Sequence, residues 1–183
     1  LQHINDRILK RMKRRVNRRE TEALLARLRD SIPGLVLRTT MIVGFPGETE
    51  DEFKELVAFV KAQRFERLGV FEYSREAGTP AARLRDHLPR RVIRARRDRL
   101  MAVQQEIAFE FAQAQVGRRV TVLLDQPYPE RKHVFIGRTY ADAPEIDSVV
   151  YVTGKGLQPG QFVTCEVVAA EGYDLIAAPL EDQ

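Results

Sequence analysis

Cysteine is nearly missing from this chain of 183 residues: it has one, Cys165. A single thiol excludes internal disulfides, and it excludes any multi-cysteine metal or iron–sulfur site built from this chain alone. The surrounding "FVTCEVV" reads as a strand, so Cys165 is expected to be a small core hydrophobe. Histidine is scarce as well, and the three present, at 3, 87 and 133, share no metal-ligand spacing. No apolar run approaches the roughly 20 residues that a membrane span needs. The opening "LQHINDRILKRMKRR" lacks a signal peptide's apolar core and starts on Leu. The expectation is a cytoplasmic chain with no membrane partner, read as a C-terminal fragment. GxGxxG and GxxxxGK(S/T) are also absent, so a nucleotide-phosphate motif has no support.

What is present divides in two. The formal net charge of +4 hides a split: residues 1–116 hold 24 Lys+Arg against 16 Asp+Glu, whereas residues 117–183 hold 6 against 10. A basic first part suits RNA or a ribosome. An acidic second part more naturally meets a basic protein.

Patterning divides the chain at the same place. Residues 1–6 read as the end of a strand and its turn, and 8–16 as a short basic helix. "NRRE" at 17–20 fits a helix start in which Asn caps and Glu reaches back. Leu24, Leu25 and Leu28 then give an apolar face at helical spacing, ended by "IPG" at 32–34. Residues 35–44 are rich in β-branched and apolar types with little alternation, as in a parallel strand covered on both faces. Thr49-x-x-Glu52 is a capping box, followed by a helix burying Phe53, Leu56, Val57 and Val60. Another strand covers 67–74. A long helix after Pro89 runs to about Gln115, with Ile93, Leu100, Val103, Ile107 and Phe111 inward. Strand, helix, strand, helix, strand implies α/β architecture, either an open sheet or part of a barrel. After "VGRR", five short strands separated by Pro, Gly and Asp turns predict a small closed barrel of the oligonucleotide-binding type.

The stretch "VGFPGETEDEF" is the candidate site of the first half. Parallel sheets bind ligands at the carboxyl ends of their strands, and Gly44-Phe-Pro-Gly47 stands at such an end. Glycines there let a ligand approach the backbone closely. Glu48, Glu50 and Asp51 occupy the positive end of the following helix, so the loop is a poor phosphate cradle and better suits a neutral or amine-bearing ligand. A tight strand-to-helix turn without a ligand is the competing reading.

Together "LQHIND…ILKRMKR", "LRTTMIVGFPGETEDEF", "LGVFEYSREAGTPA" and "GRTYADAPEIDSVVYV" resemble the radical S-adenosylmethionine methylthiotransferases. The resemblance runs in order along essentially the whole chain. "VGFPGET" is shared across the wider group, whereas "DAPEID" with "QHIND" points to the branch that modifies an aspartate of small-subunit ribosomal protein twelve.

That resemblance implies residues 1–115 as the second half of a radical SAM partial TIM-type barrel, and 117–183 as an OB-like TRAM domain. It implies S-adenosylmethionine and two 4Fe–4S clusters in the full-length enzyme, whose cysteine ligands are not in this chain. One S-adenosylmethionine would supply a methyl group. Another would be cleaved to a 5′-deoxyadenosyl radical that abstracts hydrogen from the aspartate β-carbon. No catalytic residue and no metal ligand is expected in this stretch, which alone would be inactive.

Cofactor-side positions carried over are Gln2 at a strand end, Arg14 for the carboxylate of S-adenosylmethionine, and Ile42, Val43 and Gly44 flanking adenine. Phe71 and Tyr73 would wall the adenine, with core packing as the competing role. The wider pattern GxIxGxxE is only partly kept: Thr40 replaces the first Gly and Glu48 comes one position late. Asp142, Glu145 and Asp147 are expected to dock the basic ribosomal protein, and the acidic balance disfavours RNA there. An electron donor is a further implied partner. The sister activity on tRNA adenosine would be favoured by Q-S-G-S in place of "QHIN". A non-catalytic RNA- or ribosome-binding module is the third reading.

Overall fold

The computed structural model describes residues 1–180, which divide into two compact units, Leu1–Ile107 and a second that begins at Ala108. Among the described residues no helix is long and apolar enough to cross a membrane.

The first unit contains α1 (Asp6–Arg11), α2 (Arg18–Ser31), β1 (Arg38–Val43), α3 (Glu50–Gln63), β2 (Arg67–Glu72), a 3-10 turn at Ala81–Arg83, and most of α4 (Arg90–Gln113). Both expected helix starts form. Asn17 and Glu20 exchange side-chain and backbone hydrogen bonds at the head of α2, and Thr49 and Glu52 do so at the head of α3. The first helix departs from expectation at both ends. Asn5 caps it through the backbone N–H groups of Arg7 and Ile8, and it stops at Arg11. Lys13 then takes a left-handed backbone (φ 57°) with no glycine to announce it.

β1 and β2 pair in parallel, from Arg38 beside Arg67 to Val43 beside Glu72. The expected strand at the chain's start is not one. Its residues make one ladder-like bond, Ile42 N–H to the Gln2 carbonyl at 2.8 Å, and a single bond does not define a strand. β1 is also not covered on both faces. Thr39, Met41 and Val43 are buried, while Thr40 and Ile42 are half-buried on the other side. On the covered side, Phe53, Leu56, Phe59 and Val60 of α3 pack with Met41, Val43, Ile4, Leu25 and the Ile93–Leu100 face of α4. Burying such side chains is worth about 1.5–3 kcal/mol each, which is why the helix faces set the fold.

The second unit is a closed barrel in the order β3-β4-β5-β7-β6. Its strands are β3 (Arg119–Pro127), β4 (Val134–Arg138), β5 (Val150–Thr153), β6 (Phe162–Glu171) and β7 (Asp174–Pro179). All five expected strands are there, paired antiparallel except β5 with β7. Val122, Leu124, Val150, Val152, Cys165, Val167, Leu175 and Ala177 fill the interior, joined by Ala112. Cys165 is the expected core residue, and burial pushes its thiol up to about 11. Gly137 faces inward where a Cβ would lie 2.5 Å from the Leu123 carbonyl oxygen, so no larger residue fits. Two bulges, at Leu124/Gln126 and Val167/Ala169, bend β3 and β6 as barrel closure requires.

Candidate ligand groove and barrel loop

Beyond the carboxyl ends of β1 and β2 the first unit opens into a groove of about 360 Å³. Ile42 and Phe45 form one wall and Tyr73 the next. Arg11 at the end of α1, Met12, Lys13 and Arg14 in the turn after it, and Glu72 and Glu76 also line it. The Phe45 and Tyr73 rings meet edge to face at 5.4 Å, and Tyr73 lies 5.8 Å from the His87 ring. The Tyr73 hydroxyl is buried without a hydrogen-bond partner, and burial raises its pKa. Such an orphaned group costs roughly 1–3 kcal/mol.

The turn that carries Phe45 is held from behind. Gly44 has φ 77°, and its N–H donates to Glu48 Oε2 at 3.0 Å. Arg96 of α4 donates through Nη1 to Glu48 Oε1 at 2.6 Å and to the Glu48 carbonyl at 3.0 Å. His3 Nε2, also buried, lies 3.6 Å from Glu48 Oε2. Glu48 therefore does not sit at the positive end of α3 with Glu50 and Asp51, as its position in sequence suggested. Thr49 is the cap, and Glu48 turns away to join the strand end to α4. Glu50 instead meets Arg96 and Arg99, and Asp51 meets Lys54.

The groove gathers Arg14, Ile42 and Tyr73 from the positions singled out in the sequence. Val43 is adjacent, but its side chain is buried in the core and its carbonyl accepts from Tyr73 N–H at 2.9 Å. Gly44 is outside the lining: its N–H is taken by Glu48 and the side that lacks a Cβ faces Ile93. Gln2 is half-buried and joined to β1 through its carbonyl. Phe71 stands beside Ile42 in register and is 59% exposed, outside the lining. Sequence reasoning missed Phe45, Lys13 and Glu76. Phe45 could have been found as the large residue between two turn glycines; the other two carry no local signal. Among the described residues no group of three His, Cys, Asp or Glu is placed to hold a metal ion.

In the barrel, the three singled-out acids have unlike roles. Asp142 accepts from the hydroxyls of Thr139 (2.7 Å) and Ser148 (3.0 Å), and Asp147 accepts from Ala143 N–H (2.7 Å). Both pin the loop that joins β4 to β5. Glu145 is exposed at its tip with φ 64°.

Two family models match parts of the chain. Residues 1–60 match the Radical SAM superfamily and residues 116–180 match the TRAM domain. The chain is 52% identical over 176 residues to the ribosomal protein uS12 methylthiotransferase RimO of Anaeromyxobacter sp. (strain Fw109-5), covering 96% of this chain and 37% of that protein. Against the proteins of the same name from Myxococcus xanthus (strain DK1622) and Desulfitobacterium hafniense (strain Y51), identity is 47% over 181 residues and 48% over 177. Those alignments cover 99% and 96% of this chain and 38% and 39% of the relatives. The chain thus spans well under half the length of these relatives. Nearly the whole chain is similar to part of these methylthiotransferases, with a Radical SAM match followed by a TRAM match.

Proposed function

We propose that this chain supplies part of the S-adenosylmethionine pocket and the substrate-docking module of an enzyme that adds a methylthio group to the β-carbon of an aspartate in small-subunit ribosomal protein uS12. In this reading residues 1–115 are the later part of the radical SAM barrel and 117–183 the TRAM domain. The observation that carries it is the groove at the ends of β1 and β2. Basic (Arg11, Lys13, Arg14) and acidic (Glu72, Glu76) side chains both line it beside the aromatic pair Phe45 and Tyr73, with Glu72 also paired to Arg97 at 2.6 Å. A zwitterionic amino acid joined to a purine needs both kinds of charge. The orphaned Tyr73 hydroxyl adds a polar atom that a ligand can satisfy.

Arg14 would hold the ligand carboxylate in a charge-assisted pair. Ile42, Phe45 and Tyr73 would enclose the base, with Gln2 bracing the strand and Gly44 setting the turn that presents Phe45. When bound, S-adenosylmethionine supplies the chemistry that an unactivated C–H bond demands of a cofactor. The protein's share is to orient the ligand and exclude water. The 4Fe–4S clusters do not fit the residues of this chain. They need several thiolates, and Cys165 is alone and buried in the barrel. The acids Asp142, Glu145 and Asp147 belong in this reading to the module that meets basic uS12, with a separate electron donor as a second partner.

The test is mass spectrometry of uS12 and of tRNA after incubation with the full-length protein containing this chain. A methylthio adduct on an aspartate of uS12 supports the reading. An adduct on tRNA adenosine would replace it with the sister activity. Modification of neither, with binding retained, would leave a ribosome- or RNA-binding module.

A further inference from the structure

The three most exposed large apolar side chains among the described residues all belong to the barrel: Tyr140 (79%), Ile146 (77%) and Phe162 (74%). Scattered exposed apolar residues are ordinary, but these are not scattered. Tyr140 and Ile146 stand on the loop between β4 and β5. Phe162 pairs with Leu123, which pairs in turn with Arg138, two residues before Tyr140. That row leads from Phe162 across three strands to the residue that ends β4, from which the loop bearing Tyr140 and Ile146 departs.

The loop presenting two of them is pinned throughout. The Asp142 carboxylate holds Thr139 and Ser148, Asp147 holds the Ala143 N–H, and the Val149 N–H donates to Asp174 at the start of β7 at 3.0 Å. Asp142 and Asp147 thus spend their carboxylates on the loop itself. Glu145 alone points its charge outward, between Tyr140 and Ile146 in sequence. A loop ordered before binding loses little freedom on binding, and tyrosine is among the side chains enriched at the energetic centres of interfaces.

We infer that Tyr140 and Ile146, with Phe162 at their base, form the contact by which the barrel grips a protein segment bearing an apolar side chain next to a Lys or Arg. Glu145 fixes the register through that cation, and Asp142 and Asp147 are staples rather than contacts. The occupant is a protein rather than RNA because the one outward charge at the tip is an acid, which repels phosphate, and isoleucine offers nothing to a base edge. The inference rests on the uS12 reading above, and it changes which side chains carry it from acids to apolar groups.

Purified uS12 is the probe, titrated against the full-length protein at low and high salt. Tyr140→Ser with Ile146→Ser is expected to weaken binding at least tenfold at both salt concentrations. Glu145→Gln is expected to weaken it about threefold at low salt and to flatten the salt dependence. Both variants change exposed side chains, so an unchanged thermal midpoint serves as the fold control. Unchanged affinity in the double variant, while the unvaried protein binds uS12, overturns this inference and leaves the functional reading intact. Failure of the unvaried protein to bind uS12 sinks both. Tight tRNA binding that Tyr140→Ser abolishes would assign the contact to RNA instead.

Discussion

Arg96 and Glu48 form an ion pair at 2.6 Å in which both side chains are buried, and the same carboxylate receives the N–H of Gly44. The pair joins α4 to the strand end that walls the groove. Removing one partner from a buried pair leaves an uncompensated charge, at a cost of about 3–5 kcal/mol, whereas replacing both with apolar groups is often neutral. Arg96→Met should therefore lower the urea midpoint of the first unit strongly, and Glu48→Leu in the same chain should recover much of the loss. Equal losses in single and double variants would show that the pair is not a unit.

Gly44 is the second fastening of that turn. It has φ 77°, and a Cβ would stand 2.5 Å from Cγ1 of Ile93. Left-handed backbone costs an L residue about 1–2 kcal/mol, and overpacking adds roughly 1–3 kcal/mol. Gly44→Ala should be destabilising by about 3 kcal/mol, and Ile93→Ala should relieve only the steric share. Full rescue by Ile93→Ala in thermal unfolding would show that the backbone term is negligible.

These two fastenings also mark where the sequence stopped being informative. Thr49-x-x-Glu52 and Asn17-x-x-Glu20 were legible because a cap lies within one helical turn of its target. The barrel strands were legible because period-2 alternation survives wherever one face is buried. Glu48 was misplaced because its partner lies 48 residues away in α4, and nothing local distinguishes it from Glu50. Arg14, Ile42 and Tyr73 were reachable through motif likeness, yet Lys13 and Glu76 line the same groove without any local mark. The inward turn of Asp142 and Asp147 was equally hidden, since a run of acids in a turn reads the same whether it faces solvent or its own backbone.

Glu52 makes the first unit sensitive to acid. Burial alone would push its carboxyl up, but hydrogen bonds from Arg7 (2.5 Å) and from the Thr49 backbone and hydroxyl overrule burial and hold it at about 2. A depressed folded-state pKa stabilises above the unfolded value near 4.3 and loses that stabilisation as pH falls towards 2. With Arg7 half exposed, the contribution is about 1–2 kcal/mol after solvent screening. Glu52→Gln should be less stable than the unvaried chain at pH 7 by that amount and should converge with it near pH 2. Parallel acid-denaturation curves, with no convergence, would refute the linkage.

Cys165 gives a direct probe of barrel integrity. The thiol is fully buried, and burial raises its pKa to about 11, so thiolate is scarce at neutral pH and hidden when formed. A thiol-reactive dye added at pH 8 should label the native chain far more slowly than the urea-unfolded chain, because reaction must wait for the β3–β6 ladder around Val120 and Cys165 to open. Destabilising the interior should accelerate labelling without changing the unfolded-state rate. Gly137→Ala is the sharpest such change, since its Cβ would meet the Leu123 carbonyl oxygen at 2.5 Å. Rapid stoichiometric labelling of the unvaried native chain would mean that the barrel opens readily on its own. A slow reaction that Gly137→Ala accelerates would place the closure of β3 on β4 among the interactions that keep the interior sealed.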